Sequence, residues 1–143
     1  YSEDPQVYHD TMARLKRKID GARDHLPAPV IREEEKKDLG VIFYGSMENT
    51  IVEIDDMLEE SGLSVSTCRV RALPLHSGVE DFVRRHDRTI VLEINRDGQL
   101  FGIIRKEFPA ELIPKIHSVS YSDGMPPRAR VYSDMILEVL EGL

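Results

Sequence analysis

Glu93-Ile94-Asn95-Arg96-Asp97-Gly98-Gln99-Leu100 sets carboxylates, carboxamides and a guanidinium close together, directly behind the apolar run Thr89-Ile90-Val91-Leu92. Groups of this kind bind backbone amides, ligand atoms or partner side chains once a rigid element fixes their positions. In open α/β sheets, ligands and partners meet the protein at the carboxyl ends of strands. Glu93, Asn95, Arg96, Asp97 and Gln99 are therefore expected on a functional rim. Local duties compete for the same residues: Asn95 ordering a turn, Asp97 capping a helix, and Gly98 permitting close packing.

Elsewhere the residue types give no complete active site. Gly45-Ser46-Met47-Glu48 follows another apolar run, where dinucleotide folds place phosphate-binding glycines. One glycine makes a poor cradle, and Glu48 in the first helical turn would repel phosphate. A structural turn with Ser46 as helix cap is the expected reading. His9, His25, His76, His86 and His117 are scattered without metal-ligand spacing. Asp55-Asp56 and Glu59-Glu60 face different directions on a helix and do not make a catalytic carboxylate pair. Ser46, Ser77 and Ser118 lack the glycine-flanked elbow of a hydrolase nucleophile.

The net charge of −7 and pI of about 5.2 argue against a general nucleic-acid binder. Arg14, Lys16, Arg17, Lys18 and Arg23 read as the wet side of a helix. With 41% hydrophobic and 31% charged residues and a mean hydropathy of −0.34, a soluble domain with no membrane span is expected. A lone cysteine, Cys68, closes no internal disulfide and holds no zinc or iron–sulfur cluster by itself, which suits a reducing cytoplasm. The start at Tyr1, without Met or signal peptide, suggests a piece of a longer polypeptide.

The elements that would position these residues can be read from periodicity. Asp4-Pro5 is a helix start, and the helix is expected to reach about Leu26, where Pro27 and Pro29 stop it. Tyr8, Met12, Leu15, Ile19, Ala22 and Leu26 form one narrow apolar seam. The rest of the domain is its plain cover; a partner surface or a domain before Tyr1 is the alternative. Residues 27–38 read as an extended, charged connector.

From Gly40 the pattern predicts an α/β domain with a mostly parallel sheet and flanking helices. Strands are expected at Gly40–Tyr44, Ser64–Leu73, Thr89–Glu93 and Ile116–Tyr121. The intervening helices carry Ile51, Ile54 and Leu58, then Val79, Phe82 and Val83 behind a Ser77–Glu80 capping box, then Leu100, Ile103 and Ile104. Cys68 falls among core residues of the second strand. A last helix opening at Ser133 turns Ile136, Val139, Leu140 and Leu143 inward. The division is an arm and linker, 1–39, and an α/β body, 40–143.

Tyr44-Gly45-Ser46, Arg71-Ala72-Leu73-Pro74-Leu75, the Glu93 to Leu100 segment and Asp123-Gly124-Met125-Pro126 follow successive strands. In this order they resemble the C-terminal, transketolase C-terminal-like domain of the alpha subunit of 2-oxoacid:ferredoxin oxidoreductases. The arm from Asp4-Pro5 is similar to the helix that joins this domain to the preceding thiamine-type domain. The resemblance implies a Rossmann-like fold and a share in converting a 2-oxoacid and coenzyme A into acyl-coenzyme A, carbon dioxide and two electrons for ferredoxin.

Thiamine diphosphate, magnesium and iron–sulfur clusters are implied for the complete enzyme, not for this chain. The nearest words to the family's Gly-Asp-Gly motif are Arg96-Asp97-Gly98 and Ser122-Asp123-Gly124, and a cluster needs about four cysteines. An isolated chain is thus expected to be inactive, serving as a non-catalytic interface domain. Gly45, Ser46, Met47, Asn95, Arg96, Gly98 and Gln99 are its interface candidates, facing other alpha-subunit domains and the beta subunit, with ferredoxin served indirectly. Two alternatives stay open: a stand-alone interaction or regulatory module that pairs, or dimerises, through the long helix, and a small-ligand binder at the strand ends.

Overall fold

Leu39, Val41, Ile42 and Phe43 are almost wholly shielded from solvent, as a strand covered on both faces requires. The computed structural model describes residues 3–35 and 38–142. Along the chain come α1 (Pro5–Ala22), β1 (Val30–Arg32), β2 (Leu39–Phe43), α2 (Ile51–Glu60), β3 (Val65–Arg69) and α3 (Ser77–Arg85). β4 (Arg88–Glu93), α4 (Gln99–Glu107), β5 (Ile116–Ser120) and α5 (Ala129–Glu141) complete it. The sheet order is β1-β3-β2-β4-β5, with β3, β2, β4 and β5 parallel and β1 antiparallel at the edge.

Alternation along each strand divides the core into two layers. Val41, Phe43, Ile90, Leu92 and Val119 pack against Ile54 and Leu58 of α2 and Tyr132 and Ile136 of α5. Ile42, Cys68 and Val91 point the other way, onto Phe82 and Val83 of α3 and Ile104 of α4. The second layer depends on a missing side chain. A Cβ on Gly40 would lie 2.6 Å from the Phe82 ring, so only glycine lets that ring lie on the strand.

The topology has one reversal. The chain leaves β2 through α2 towards β3 on one side, and leaves β4 through α4 towards β5 on the other. A crevice therefore opens between the carboxyl ends of β2 and β4, where open α/β sheets place ligands.

Several local expectations change. The seam on α1 is not covered by the rest of the domain: Tyr8, Met12, Leu15 and Ile19 are 62%, 47%, 41% and 57% exposed, and α1 buries no residue. Near the helix end, an ion pair from Arg23 to Glu107 at 2.7 Å reaches the body. Asp4 does cap the helix, accepting from the Gln6 N–H at 2.8 Å. The expected connector includes β1, whose Ile31 sits opposite Cys68; three residues are too short for a periodic signal. Within the charged run, Lys36 and Lys37 lie outside the described residues, as does Leu143.

Helix starts show the same kind of departure. The Ser77–Glu80 capping box is replaced by His76, whose Nδ1 accepts from the Gly78 N–H at 3.0 Å, while Glu80 is drawn to Arg84 one turn on. Ser46 caps no α-helix: residues 45–49 form a 3₁₀ turn, and α2 begins after Thr50. α5 opens at Ala129, four residues before Ser133, because burying Tyr132 extends the apolar face backwards.

Candidate functional site

The segment after β4 is built around a carboxylate turned inward. Glu93 ends the strand wholly buried. Its Oε1 accepts from the Leu100 N–H at 2.6 Å and from Asn95 Nδ2 at 2.9 Å, and its Oε2 accepts from the Phe101 N–H at 3.0 Å. The first free N–H groups of α4, where the helix dipole is positive, are thus held by the chain's own anion. This corrects two expectations: Glu93 does not stand out on the rim, and Asp97 does not cap α4. Asp97 pairs instead with the exposed Arg96, Oδ1 to Nε at 2.7 Å.

Asn95 has the turn-ordering role. Its Oδ1 accepts from the N–H groups of Asp97 and Gly98 at 3.0 and 2.8 Å, and its Nδ2 reaches across the crevice to the Tyr44 hydroxyl at 3.2 Å. Gly98 is buried at φ +61°, and a Cβ there would come within 3.1 Å of Ser118 Oγ and 3.2 Å of Ser120 Oγ. Both the left-handed backbone and the crowding demand glycine. With the Tyr121 N–H donating to the Glu93 carbonyl at 3.2 Å, one hydrogen-bonded frame joins the ends of β2, β4 and β5.

Beside this frame lies a cavity of about 500 Å³. Tyr44 and Gly45 wall it from the end of β2, and Gln99, Leu100 and Ile103 from the first turns of α4. Val70, Arg71 and Leu73 close the third side beyond β3. A smaller cavity of about 250 Å³ next to it is bounded by Ser46 and Ile94.

Of the residues expected on the interface, Gly45, Ser46 and Gln99 thus border open space, and Arg96 projects into solvent. Asn95 is half-buried in the frame. Gly98 and Met47 are buried, Met47 completely in the core around α2, so their surroundings are protein. Tyr44, Arg71 and Leu73 were not singled out as site residues by sequence reasoning. Part of their signal was present: Tyr44 directly follows an apolar strand, Arg71 and Leu73 follow β3, and Leu73 is 52% exposed despite its type.

Among the described residues the donor sets do not fit thiamine diphosphate, magnesium or an iron–sulfur cluster. Among the described residues no group of three or more His, Cys, Asp and Glu converges as a metal site. The amides that would cradle a diphosphate at α4 are occupied by Glu93. Cys68 is buried in the sheet, and burial pushes its thiol up to about 12. In the second Asp-Gly word, Asp123 accepts from the Met125 N–H at 3.0 Å and from Arg128 at 2.6 Å, contacts that hold its carboxyl below the usual range. No described helix is long and apolar enough to cross a membrane.

The elements and their order define an open, mostly parallel α/β domain with a long helix before it. No family model and no curated protein matches the chain. Solved structures do. The chain is similar to 2-oxoglutarate:ferredoxin oxidoreductase from Magnetococcus marinus, solved with 2-oxoglutarate, coenzyme A and succinyl-CoA bound, at 23% identity and a TM-score of 0.76. That likeness covers 96% of this chain and 24% of the other, so this chain spans about a quarter of the oxidoreductase chain.

It is also similar to a split-gene transketolase in an inactive beta4 tetramer, at 17% identity and TM-score 0.58, over 79% of this chain and 41% of that one. The alpha chain of a probable 2-oxoacid ferredoxin oxidoreductase from Thermoplasma acidophilum matches at 19% identity and TM-score 0.50, over 80% of this chain and 97% of the other. At these identities the shared property is the fold.

Proposed function

We propose that this chain is the transketolase C-terminal-like domain of a 2-oxoacid:ferredoxin oxidoreductase alpha subunit, where it acts in the cytoplasm as a non-catalytic interface domain. Residues 1–39 serve as arm and linker, with β1 (Val30–Arg32) within them joining the edge of the sheet, and 40–143 as the docking body. The observation that carries this reading is the extent of the fold likeness: 96% of the chain follows the Magnetococcus oxidoreductase. The order of strand-end words, from Tyr44-Gly45-Ser46 to Asp123-Gly124-Met125-Pro126, supports it independently.

In this role the domain performs no bond chemistry. The rim of Gly45, Ser46, Asn95, Arg96 and Gln99 meets the neighbouring alpha-subunit domain or the beta subunit, which hold thiamine diphosphate, magnesium and the clusters. Met47 and Gly98 support the rim from beneath. Rigid seating matters because a misplacement of about 1 Å can cost on the order of a hundredfold in rate. The Glu93–Asn95–Tyr44 frame supplies that rigidity.

The test is purification of the tagged natural gene product from its host. Recovery with a thiamine-binding partner, and 2-oxoacid- and coenzyme A-dependent ferredoxin reduction by the complex, is the expected result. Alanine at Asn95 and Gln99 is expected to lower assembly or turnover; unchanged values for both would remove the rim from the proposal.

A second reading is favoured by the open seam on α1. A stand-alone interaction module would pair, with itself or another helix, through Tyr8, Met12, Leu15 and Ile19. It predicts a concentration-dependent dimer in sedimentation and no thiamine enzyme in the purified material.

A further inference from the structure

We propose that the larger strand-end cavity binds a small organic monocarboxylate with an apolar body, as an effector site separate from any oxidoreductase chemistry. Its volume of about 500 Å³ falls within the roughly 300–1,000 Å³ of small-molecule sites. Such sites combine an apolar wall with a few placed polar groups. Here Val70, Leu73, Leu100 and Ile103 supply the wall, and Arg71, Gln99 and Tyr44 the polar groups.

Arg71 identifies the charge of the ligand. It makes no ion pair or hydrogen bond among the described residues, whereas Arg69, two positions earlier, is paired with Glu48. An uncommitted guanidinium beside apolar surface is matched by an anion, and its planar fork fits a carboxylate with two parallel hydrogen bonds. The Gln99 carboxamide adds further donors. The Tyr44 hydroxyl accepts from Asn95 and keeps its own proton to donate.

A phosphate is disfavoured by the same geometry. The amides of Leu100 and Phe101 that would receive it are held by Glu93, whose charge stands behind the cavity wall and opposes a doubly charged group. The selected ligand is therefore singly charged and apolar at its other end. Gly45 and Gln99 border both this cavity and the proposed rim, so binding is read on the chain by itself, where it does not depend on assembly with a partner.

Amide NMR of the whole chain tests it, with sodium hexanoate as probe and hexylamine and inorganic phosphate as controls. Hexanoate is expected to shift the Leu73, Gln99 and Leu100 amides saturably, in the millimolar range set by so small a ligand. R71Q should weaken binding by about tenfold, as loss of a charge-assisted bond predicts. A72L, which keeps the charge and fills the cavity, should weaken it as well.

The proposal is overturned by no saturable shift up to about 10 mM. Equal response to hexylamine or phosphate, or unchanged hexanoate affinity in both R71Q and A72L, overturns it equally.

Discussion

Glu93 shows how a buried charge can close a site. It offsets its desolvation through three hydrogen bonds and the positive end of α4, since ionised acceptors form the stronger bonds. Glu93→Ala leaves the Leu100 and Phe101 amides without that acceptor and is expected to cost about 3 kcal/mol, read as a lower urea midpoint. Gln at the same position keeps one acceptor oxygen and is expected to lose less. Two other buried groups make stability depend on alkaline pH. Burial raises the Cys68 thiol from 9.0 to about 12, and burial with the nearby Asp123 charge raises Tyr132 from 10.0 to about 12. The folded state then retains protons that the unfolded chain releases, so stability falls as pH climbs from the ordinary values towards the raised ones. Urea midpoints measured at about pH 8 and about pH 11 should drop at the higher pH, and by less in Cys68→Ala. Iodoacetamide should leave the native thiol unmodified.

Elements whose apolar residues follow a clear period were legible in the sequence, and those fixed by local competition were not. β2, β4 and the inner faces of α2 and α3 follow from Val41, Ile90, Ile54 and Phe82, because burial on a fixed period leaves one arrangement. Caps are not legible from residue type because several residues compete for the same N–H groups. Sequence favours Asp97 and Ser77 by type, yet Glu93 and His76 win by position, the first from six residues before α4 begins. The Asn95 turn was readable, since an Asn side chain bonds the backbone two and three residues on, here Asp97 and Gly98. The cavity was not, for Arg71 and Gln99 meet only through tertiary folding. The seam on α1 was correctly seen as apolar, while periodicity says nothing about which surface covers it. Leu15→Glu is accordingly expected to change stability by less than about 0.5 kcal/mol, whereas Leu58→Ala in α2 should cost about 2–5 kcal/mol. Thermal melts of both variants check the contrast, and loss of partner or self-association in Leu15→Glu would assign the seam.

At the scale of the whole molecule, arm and body are energetically unequal. The body holds two packed layers, while α1 buries no residue and stands mostly in solvent. Deleting residues 1–26 is expected to leave a cooperative unfolding transition within a few degrees of the parent, as circular dichroism on heating would record. Cutting further is a different matter, because of β1. Its three residues run against the sheet along β3, and Arg32 is paired with Asp55. Remove them, and β3 shows a bare row of donors and acceptors to any passing chain, the usual invitation to edge-to-edge stacking. The stretch between the two prolines and the first parallel strand is, in that sense, a selvedge: it keeps the woven fabric from unravelling into its neighbours, and an expression boundary placed beyond it should yield fibrils or precipitate where one placed before it yields monomer.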